Sequence, residues 1–176
     1  FGNIDTCITK LNIEAEFALD LGCGNDIANP FKASNIKGVD IKDIDQDNVY
    51  QCILGFEKLP FDDASFDCMT AFDLLEHIPR VIYKDGVIHN PFIYLMDEIY
   101  RCLKPGGYFL SHTPGYPSPA AFQDPTHVNI ITADTFKFYF CSPELYAGAY
   151  GFKGSFDLIK QGWNGHHLIT LLKKNY

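Results

Sequence analysis

Between residues 19 and 26 the chain reads Leu-Asp-Leu-Gly-Cys-Gly-Asn-Asp, an apolar run that breaks into two glycines with an acid on either side. Gly22 and Gly24 carry no Cβ, so the backbone can turn tightly there and approach a ligand closely. Asp40 follows sixteen residues beyond Gly24, at the end of a second apolar run. A carboxylate so placed can accept hydrogen bonds from both hydroxyls of a ribose, and the glycines and the acid together point to a nucleoside-containing cofactor. A dinucleotide site asks for a third glycine and a long helix facing a pyrophosphate. Here Ile27 stands in the third position and Pro30 interrupts any long helix, which makes a nicotinamide dinucleotide the weaker reading.

Other reactive side chains are scattered. Asp124, His112 and His127 offer carboxylate and imidazole groups that suit several divalent ions, but no tight spacing joins them and no metal is assigned. Cys7, Cys23, Cys52, Cys68, Cys102 and Cys141 form no Cys-x-x-Cys pair and read as reduced, buried thiols acting as small apolar side chains. His166 and His167 enter a strand whose neighbouring residues face opposite sides, so at most one points inward, and the pair reads as structural. Asp43, Asp45 and Asp47 read as a solvated loop.

The elements that must position these residues alternate between strand-like and helix-like, the pattern of an α/β sheet with crossover helices. After a short leader ending near Glu14, strands are expected at Glu16 to Leu21, Ile36 to Ile41, Val49 to Leu54, Phe66 to Phe72 and Tyr108 to His112. A short helix carrying Leu74, Leu75 and Ile78 should stop at Pro79. The clearest helix runs from about Phe92 to Leu103, with Phe92, Leu95, Met96, Ile99, Tyr100 and Leu103 on one face, Pro91 before it and Lys104-Pro105-Gly106-Gly107 after it. Pro114, Pro117, Pro119 and Pro125 mark a loop, and Thr132 can cap a helix from Ala133 to Phe140. Strands from Ser155 to Gln161 and from His167 to Lys173, joined through Gly162-Trp163-Asn164-Gly165, should close the sheet as an antiparallel hairpin. Phe136, Phe138, Tyr139 and Phe140, with Tyr146 and Tyr150, read first as core, with an aromatic acceptor pocket as the alternative.

The chain has 176 residues, 47% of them hydrophobic, and a net charge of −8 from 14 basic and 22 acidic side chains. A chain of that size buries roughly 70% of its unfolded surface, enough for a full core without disulfide or metal staples. The composition excludes disorder and a disulfide scaffold. No apolar run approaches the roughly 18–20 residues of a membrane span, and Phe1 to Lys10 lacks a charged-then-apolar signal pattern, so a soluble, cytoplasmic protein is expected. Scattered Lys and Arg argue against a nucleic-acid partner.

Five blocks then fall in one order: LDLGCG, GVDI at Gly38 to Ile41, LPFDDASFD at Leu59 to Asp67, LLEHIP at Leu74 to Pro79, and LKPGGYF at Leu103 to Phe109. In these the chain resembles the class I S-adenosylmethionine-dependent methyltransferases, in particular the small bacterial type with a shortened first helix. The resemblance implies a Rossmann-like, seven-stranded, mostly parallel sheet with an antiparallel last strand and helices on both faces. It implies one domain over residues 1–176: a cofactor half over about 16–112, a substrate-facing loop and helix over about 113–150, and the closing hairpin over about 155–173.

Carried over by position, it implies that Asp20, Gly22, Cys23 and Gly24 shape the pocket for the methionine part of the cofactor. Asp40 would hold the ribose, and Ile41 would pack on the adenine. Gly55 stands where the family often has an acid for the adenine amine, leaving Leu54 and Phe56 to supply backbone and apolar contacts. Ala71, Phe72 and Asp73 match the stretch lining the cofactor near its reactive end. Methyl transfer from a sulfonium is an in-line displacement that needs alignment, and a base only when the acceptor holds its proton until attack. Candidates for that base are His127, His112 and His77, with His127 favoured because similar enzymes of surface-polysaccharide pathways carry a like Asp-Pro-Thr-His stretch. The acceptor implied is a small metabolite or sugar-containing intermediate, methylated on oxygen or nitrogen. A non-catalytic cofactor-binding module of the same fold, or an NAD-binding oxidoreductase or epimerase, stays open beside it.

Overall fold

The apolar run Phe17–Leu21 forms β1, whose last four residues are all buried, and the strands that flank it build outward from this centre. The computed structural model describes residues 11–176; the expected leader and Cys7 lie outside these, apart from residues 11–14. β2 (Asn35–Asp40), β3 (Val49–Gln51) and β4 (Phe66–Phe72) run parallel to β1. A small antiparallel hairpin follows, β5 (Ile82–Lys84) and β6 (Val87–His89), and then helix α1 (Pro91–Cys102) crosses back to feed β7 (Leu103–Pro114). The chain continues through a short helix α2 (Ala120–Gln123), α3 (Ala133–Tyr139), β8 (Phe156–Asn164) and β9 (His167–Lys174).

The seven-stranded sheet has the order β3-β2-β1-β4-β7-β9-β8, and β9 runs antiparallel to both of its neighbours. Strand number and direction match the sequence expectation of a seven-stranded, mostly parallel sheet with a reversed last strand. The layers on the two faces of the sheet are unequal. α1 and α3 cover the face carrying Leu19, Leu21, Met69, Ala71 and Phe109, where Leu95, Met96, Ile99 and Phe136 complete the larger core. On the opposite face, Ala18, Cys68, Leu110, Ile169 and Leu171 are covered by Phe31 and Ala33 from the irregular segment between β1 and β2. Pro30 and the absence of a helical repeat in that segment explain why no helix forms there.

Several boundaries differ from expectation. β3 stops at Gln51 rather than Leu54, because Cys52 and Leu54 leave the sheet to pack into the core. The LLEHIP helix contracts to a single 3-10 turn, Leu75–His77, held short by Pro79. β8 continues through Trp163 to Asn164, and the turn is moved to Gly165-His166. The β5–β6 hairpin was not anticipated; Asp85 and Gly86 take φ of 53° and 81°, the left-handed pair that a tight hairpin turn requires. α1 begins with Pro91, whose missing N–H is no loss at a helix start, and α3 carries the expected Thr132 cap, completed by Thr135 as a capping box. The cysteines Cys23, Cys52, Cys68, Cys102 and Cys141 are buried free thiols, as expected. Among the described residues no helix is long and apolar enough to cross a membrane.

Candidate active site

Parallel strands β1, β2 and β4 end on the same edge of the sheet, and β7 brings its own C-terminal end beside β4. Gly22 leaves β1 with φ +70°, and the N–H groups of Gly22 and Cys23 both donate to the Val39 carbonyl, at 2.7 and 3.1 Å. A Cβ on Gly22 would lie 2.9 Å from Leu74 Cδ1 and on a left-handed backbone, so any other residue is strained there. Two residues on, the Gly24 N–H donates to Asp40 Oδ2 at 3.0 Å, while Asp40 Oδ1 accepts from the Lys42 N–H at 2.9 Å. Nothing lies within 4 Å of where a Gly24 Cβ would stand. Asp40 is buried, yet a carboxylate has about four lone-pair positions, and two remain for a diol.

Asp20 lies beneath this turn, 3% exposed. Its Oδ1 accepts from Thr70 Oγ1 at 2.6 Å and its Oδ2 from the Ala28 N–H at 2.7 Å. Burial pushes its pKa up to about 6, and the two hydrogen bonds offset only part of that. Cys23 is buried between the turn and β2, and burial, with Asp20 and Asp40 adding, raises its thiol to about 11; it packs and does not react. Of the residues expected around an adenine, Ile41 is 61% exposed and Phe56 48% exposed, whereas Leu54 belongs to the core. Gly55 packs against Ile78 and Pro91, and Phe56 faces a cavity of about 950 Å³ between the β3–β4 segment, the hairpin and α1. Ala71 is fully buried on the α1 face, and Phe72 leans on His112 with ring centroids 5.5 Å apart.

The expected histidines separate into two groups, one on each face of the sheet. His77 and His127 meet on the α1 side, edge to face, with centroids 4.9 Å apart. His77 Nδ1 lies 3.1 Å from Thr126 Oγ1, His127 Nδ1 lies 3.4 Å from the Ala121 carbonyl, and His127 Nε2 lies 4.0 Å from Asp124 Oδ2. Their support comes from a buried polar network that the sequence did not reveal. Glu76 is 1% exposed; its carboxylate accepts from Thr113 Oγ1 at 2.6 Å and its carbonyl accepts from the N–H groups of Val128 and Asn129. Asn129, also 1% exposed, donates to the Leu75 carbonyl at 2.9 Å and accepts from Arg80 Nε at 2.6 Å. Burial raises the Glu76 pKa against the opposing Thr113 hydrogen bond.

On the other face, His112 stacks on His167, and Asp73 stands against both. His167, expected to be structural, stands beside Asp73 and His112 near the C-terminal ends of β4 and β7. The aromatic cluster divides: Phe136 and Phe140 are core, while Phe138, Tyr139 and Tyr150 line a cavity of about 400 Å³ with Arg80, Val81 and Asp134.

The model of the methyltransferase-domain family matches residues 7–140. The chain belongs to the class I methyltransferase family. The resemblance read from its sequence blocks is borne out, and the family is one of enzymes that use S-adenosylmethionine. Over 132 residues this methyltransferase chain is 29% identical to 24-methylenesterol C-methyltransferase 2 of Oryza sativa subsp. japonica, an alignment covering 64% of this chain and 33% of that protein. The chain thus spans about a third of the length of that curated relative. Among solved structures, the YcgJ protein of Bacillus subtilis superimposes with a TM-score of 0.63 at 16% identity, covering 98% of each chain. The 1,6-didemethyltoxoflavin-N1-methyltransferase of Burkholderia thailandensis, solved with 1,6-didemethyltoxoflavin and S-adenosylhomocysteine bound, superimposes at 0.61 and 15% identity over 98% of this chain and 77% of its own. At such identities the likeness is one of fold.

Proposed function

We propose that this methyltransferase domain binds S-adenosylmethionine over the C-terminal ends of β1, β2 and β4. We propose further that it catalyses methyl transfer to an oxygen or nitrogen of a small metabolite or sugar-containing intermediate. The observation that carries the reading is the bond from the Gly24 N–H to Asp40 Oδ2, which closes a glycine turn onto an acid with lone pairs to spare. Residues 1–176 are read as one such domain, acting in the cytoplasm without nucleic acid as partner.

The cofactor supplies an activated methyl on a positively charged sulfur. Asp40 receives the two ribose hydroxyls, and Gly24 leaves the space through which the ligand passes close to the backbone. Asp20, beneath the turn, presents a carboxylate whose negative charge favours a cationic ligand. His127 serves as base for a hydroxyl acceptor. Its Nδ1 faces the Ala121 carbonyl, the arrangement in which Nδ1 keeps the proton and Nε2 holds the lone pair. The cavity lined by Phe138, Tyr139 and Tyr150 offers rings for the apolar body of an acceptor, with Arg80 and Asp134 at its polar rim.

Calorimetric titration with S-adenosylhomocysteine tests the cofactor half. Binding is expected for the wild-type chain and should weaken roughly ten- to hundredfold in Asp40→Ala, where charge-assisted hydrogen bonds worth about 1.5–3 kcal/mol each are lost. No binding by the wild type overturns the assignment, and preferential binding of NAD would favour the oxidoreductase reading. Incubation with methyl-labelled cofactor and a pool of acceptors tests catalysis. Binding without any labelled product would support the non-catalytic module instead. His127→Ala should retain cofactor affinity and lose roughly 10²–10⁴-fold in turnover; unchanged turnover removes it as the base.

A further inference from the structure

The chain has two arginines, and they are used in opposite ways. Every N–H of Arg101 is taken: Glu98 accepts from Nε and Nη2 at 2.8 and 2.7 Å, Asp63 from Nη1 at 2.8 Å, and the Phe61 and Leu59 carbonyls from Nη1 and Nη2. Arg80 has only neutral acceptors. Its Nε donates to Asn129 Oδ1 at 2.6 Å and its Nη2 to the Ile130 carbonyl. Asn129 is 1% exposed and itself donates to the Leu75 carbonyl, so the buried network beneath fixes one edge of the guanidinium in place. Among the described residues no carboxylate pairs with Arg80, and of the five N–H groups of an arginine those on Nη1 and the second one on Nη2 remain. The side chain is exposed and lines the cavity of about 400 Å³ whose walls include Ile93, Phe138, Tyr139 and Tyr150.

We propose, on the reading of this cavity as the acceptor site, that the acceptor carries a carboxylate or phosphate group and that Arg80 selects it. Nη1 and the remaining N–H of Nη2 form the end fork of the guanidinium, two parallel donors that match two oxygens of such an oxyanion. A neutral acceptor could use the donors but would leave the positive charge uncompensated. The net charge of −8 repels anions from the molecule as a whole, so the attraction has to be local, between the fork and a ligand held against apolar walls. Asp134 is the only acid among the residues lining the cavity and works against anion binding; Lys137, with its Nζ 5.0 Å from the centroid of the Phe138 ring, offsets it at the rim. Arginine suits this position better than lysine because its plane can be anchored along one edge while the other edge receives the ligand.

With two arginines in the chain, the two Nε–H signals of a proton–nitrogen correlation spectrum report the two environments separately, and Arg80→Gln assigns them. Titration with benzoate and with phenyl phosphate, and with benzyl alcohol as the neutral control, tests the proposal. The expected result is a saturable shift of the Arg80 signal by at least one anion, with a dissociation constant of roughly millimolar or below, while the Arg101 signal stays in place and benzyl alcohol has no effect. The tighter of the two anions tells a carboxylate acceptor from a phosphorylated one. Followed on the ligand's own resonances, binding should weaken roughly tenfold to a hundredfold in Arg80→Gln and roughly tenfold in Arg80→Lys, which keeps the charge and loses the fork. Asp134→Asn leaves the Asn129 network untouched and removes the opposing charge, so it should bind the anion at least as tightly as the wild type. No saturable shift by either anion, an equal response to benzyl alcohol, full affinity in Arg80→Gln or weakened affinity in Asp134→Asn would overturn the proposal. These spectra need neither cofactor nor turnover, so a failure of methyl transfer, seen as the absence of labelled product, is read apart from them. Labelled products that all pass unretained through an anion exchanger would overturn it as well.

Discussion

Asp20 shows how far one residue can be read in advance and where such reading stops. Its place before Gly22 and Gly24 marks it for the glycine turn, but nothing in the sequence says that it accepts from Thr70 and Ala28 in a dry site with its pKa near 6. Because the folded pKa is raised from 3.8, the contribution of Asp20 to stability is full below about 4 and is lost as pH rises through about 6. Asp20→Asn mimics the protonated form, accepting from the Ala28 N–H and donating to Thr70 Oγ1. It should therefore be more stable than the wild type at pH 8 by on the order of 1–3 kcal/mol, measured by urea unfolding, with little difference at pH 4. If the cofactor reading holds, the same variant should bind cationic S-adenosylmethionine less tightly relative to neutral-sulfur S-adenosylhomocysteine. Gly22→Ala carries a separate cost, since φ +70° and the 2.9 Å approach to Leu74 both oppose a Cβ. A loss of about 1–3 kcal/mol is expected, read as a lower melting temperature. The turn at Gly22 and Gly24 that meets Asp40 was legible because it lies in local spacing, whereas His167 joins Asp73 and His112 only through strand register, which no local pattern encodes.

The strands and α1 were legible as elements because burial writes its period into the chain: continuous apolar runs for β1 and β4, and three- and four-residue intervals for α1. The β5–β6 hairpin was missed although Asp85-Gly86, between Tyr83 and Val87, is a strong turn signal; its side chains are exposed, so no core periodicity drew attention to it. The segment from Asp124 to Asn129 owes its position to an element that contracted, the 3-10 turn Leu75–His77. Glu76 receives two of its backbone N–H groups, and Asn129 reaches back to the Leu75 carbonyl. Asn129→Ala leaves Arg80 Nε and the Leu75 carbonyl without their partner and should cost about 1–3 kcal/mol of stability. At temperatures where the variant is folded, turnover should fall by more than S-adenosylhomocysteine affinity, because the segment carries the proposed base His127 and none of the residues proposed to hold the cofactor. Equal losses in both would place the segment's role elsewhere.

For the molecule as a whole, buried carboxylates pull stability in opposite directions with pH. Burial opposes ionisation of Glu98 too, but Arg101 and the Leu59 N–H outweigh it and hold its pKa below the usual range, so its contribution is present above about 4.5 and is lost on acidification. Asp67 behaves likewise through Lys104 and the N–H groups of Phe17 and Glu16. Asp20 and Glu76 act in the reverse sense. Unfolding free energy should therefore peak between about pH 4.5 and 6, near the sequence pI of 5.1, and fall toward pH 8, where the net charge of −8 adds self-repulsion. A maximum at pH 8 in a series of urea titrations would contradict this balance. The unequal cover of the two sheet faces bears on how the chain meets a protease. Lys32 is exposed, with φ +55°, in the irregular stretch that replaces a helix between β1 and β2, and around it the stretch is held by the Asn29 side chain and by Phe31 and Ala33 packed on the sheet. Trypsin should nick the native protein first after Lys32, and a ligand seated on Gly24 and Asp40 should slow that first cut, so a timed digest reports occupancy without any knowledge of the acceptor.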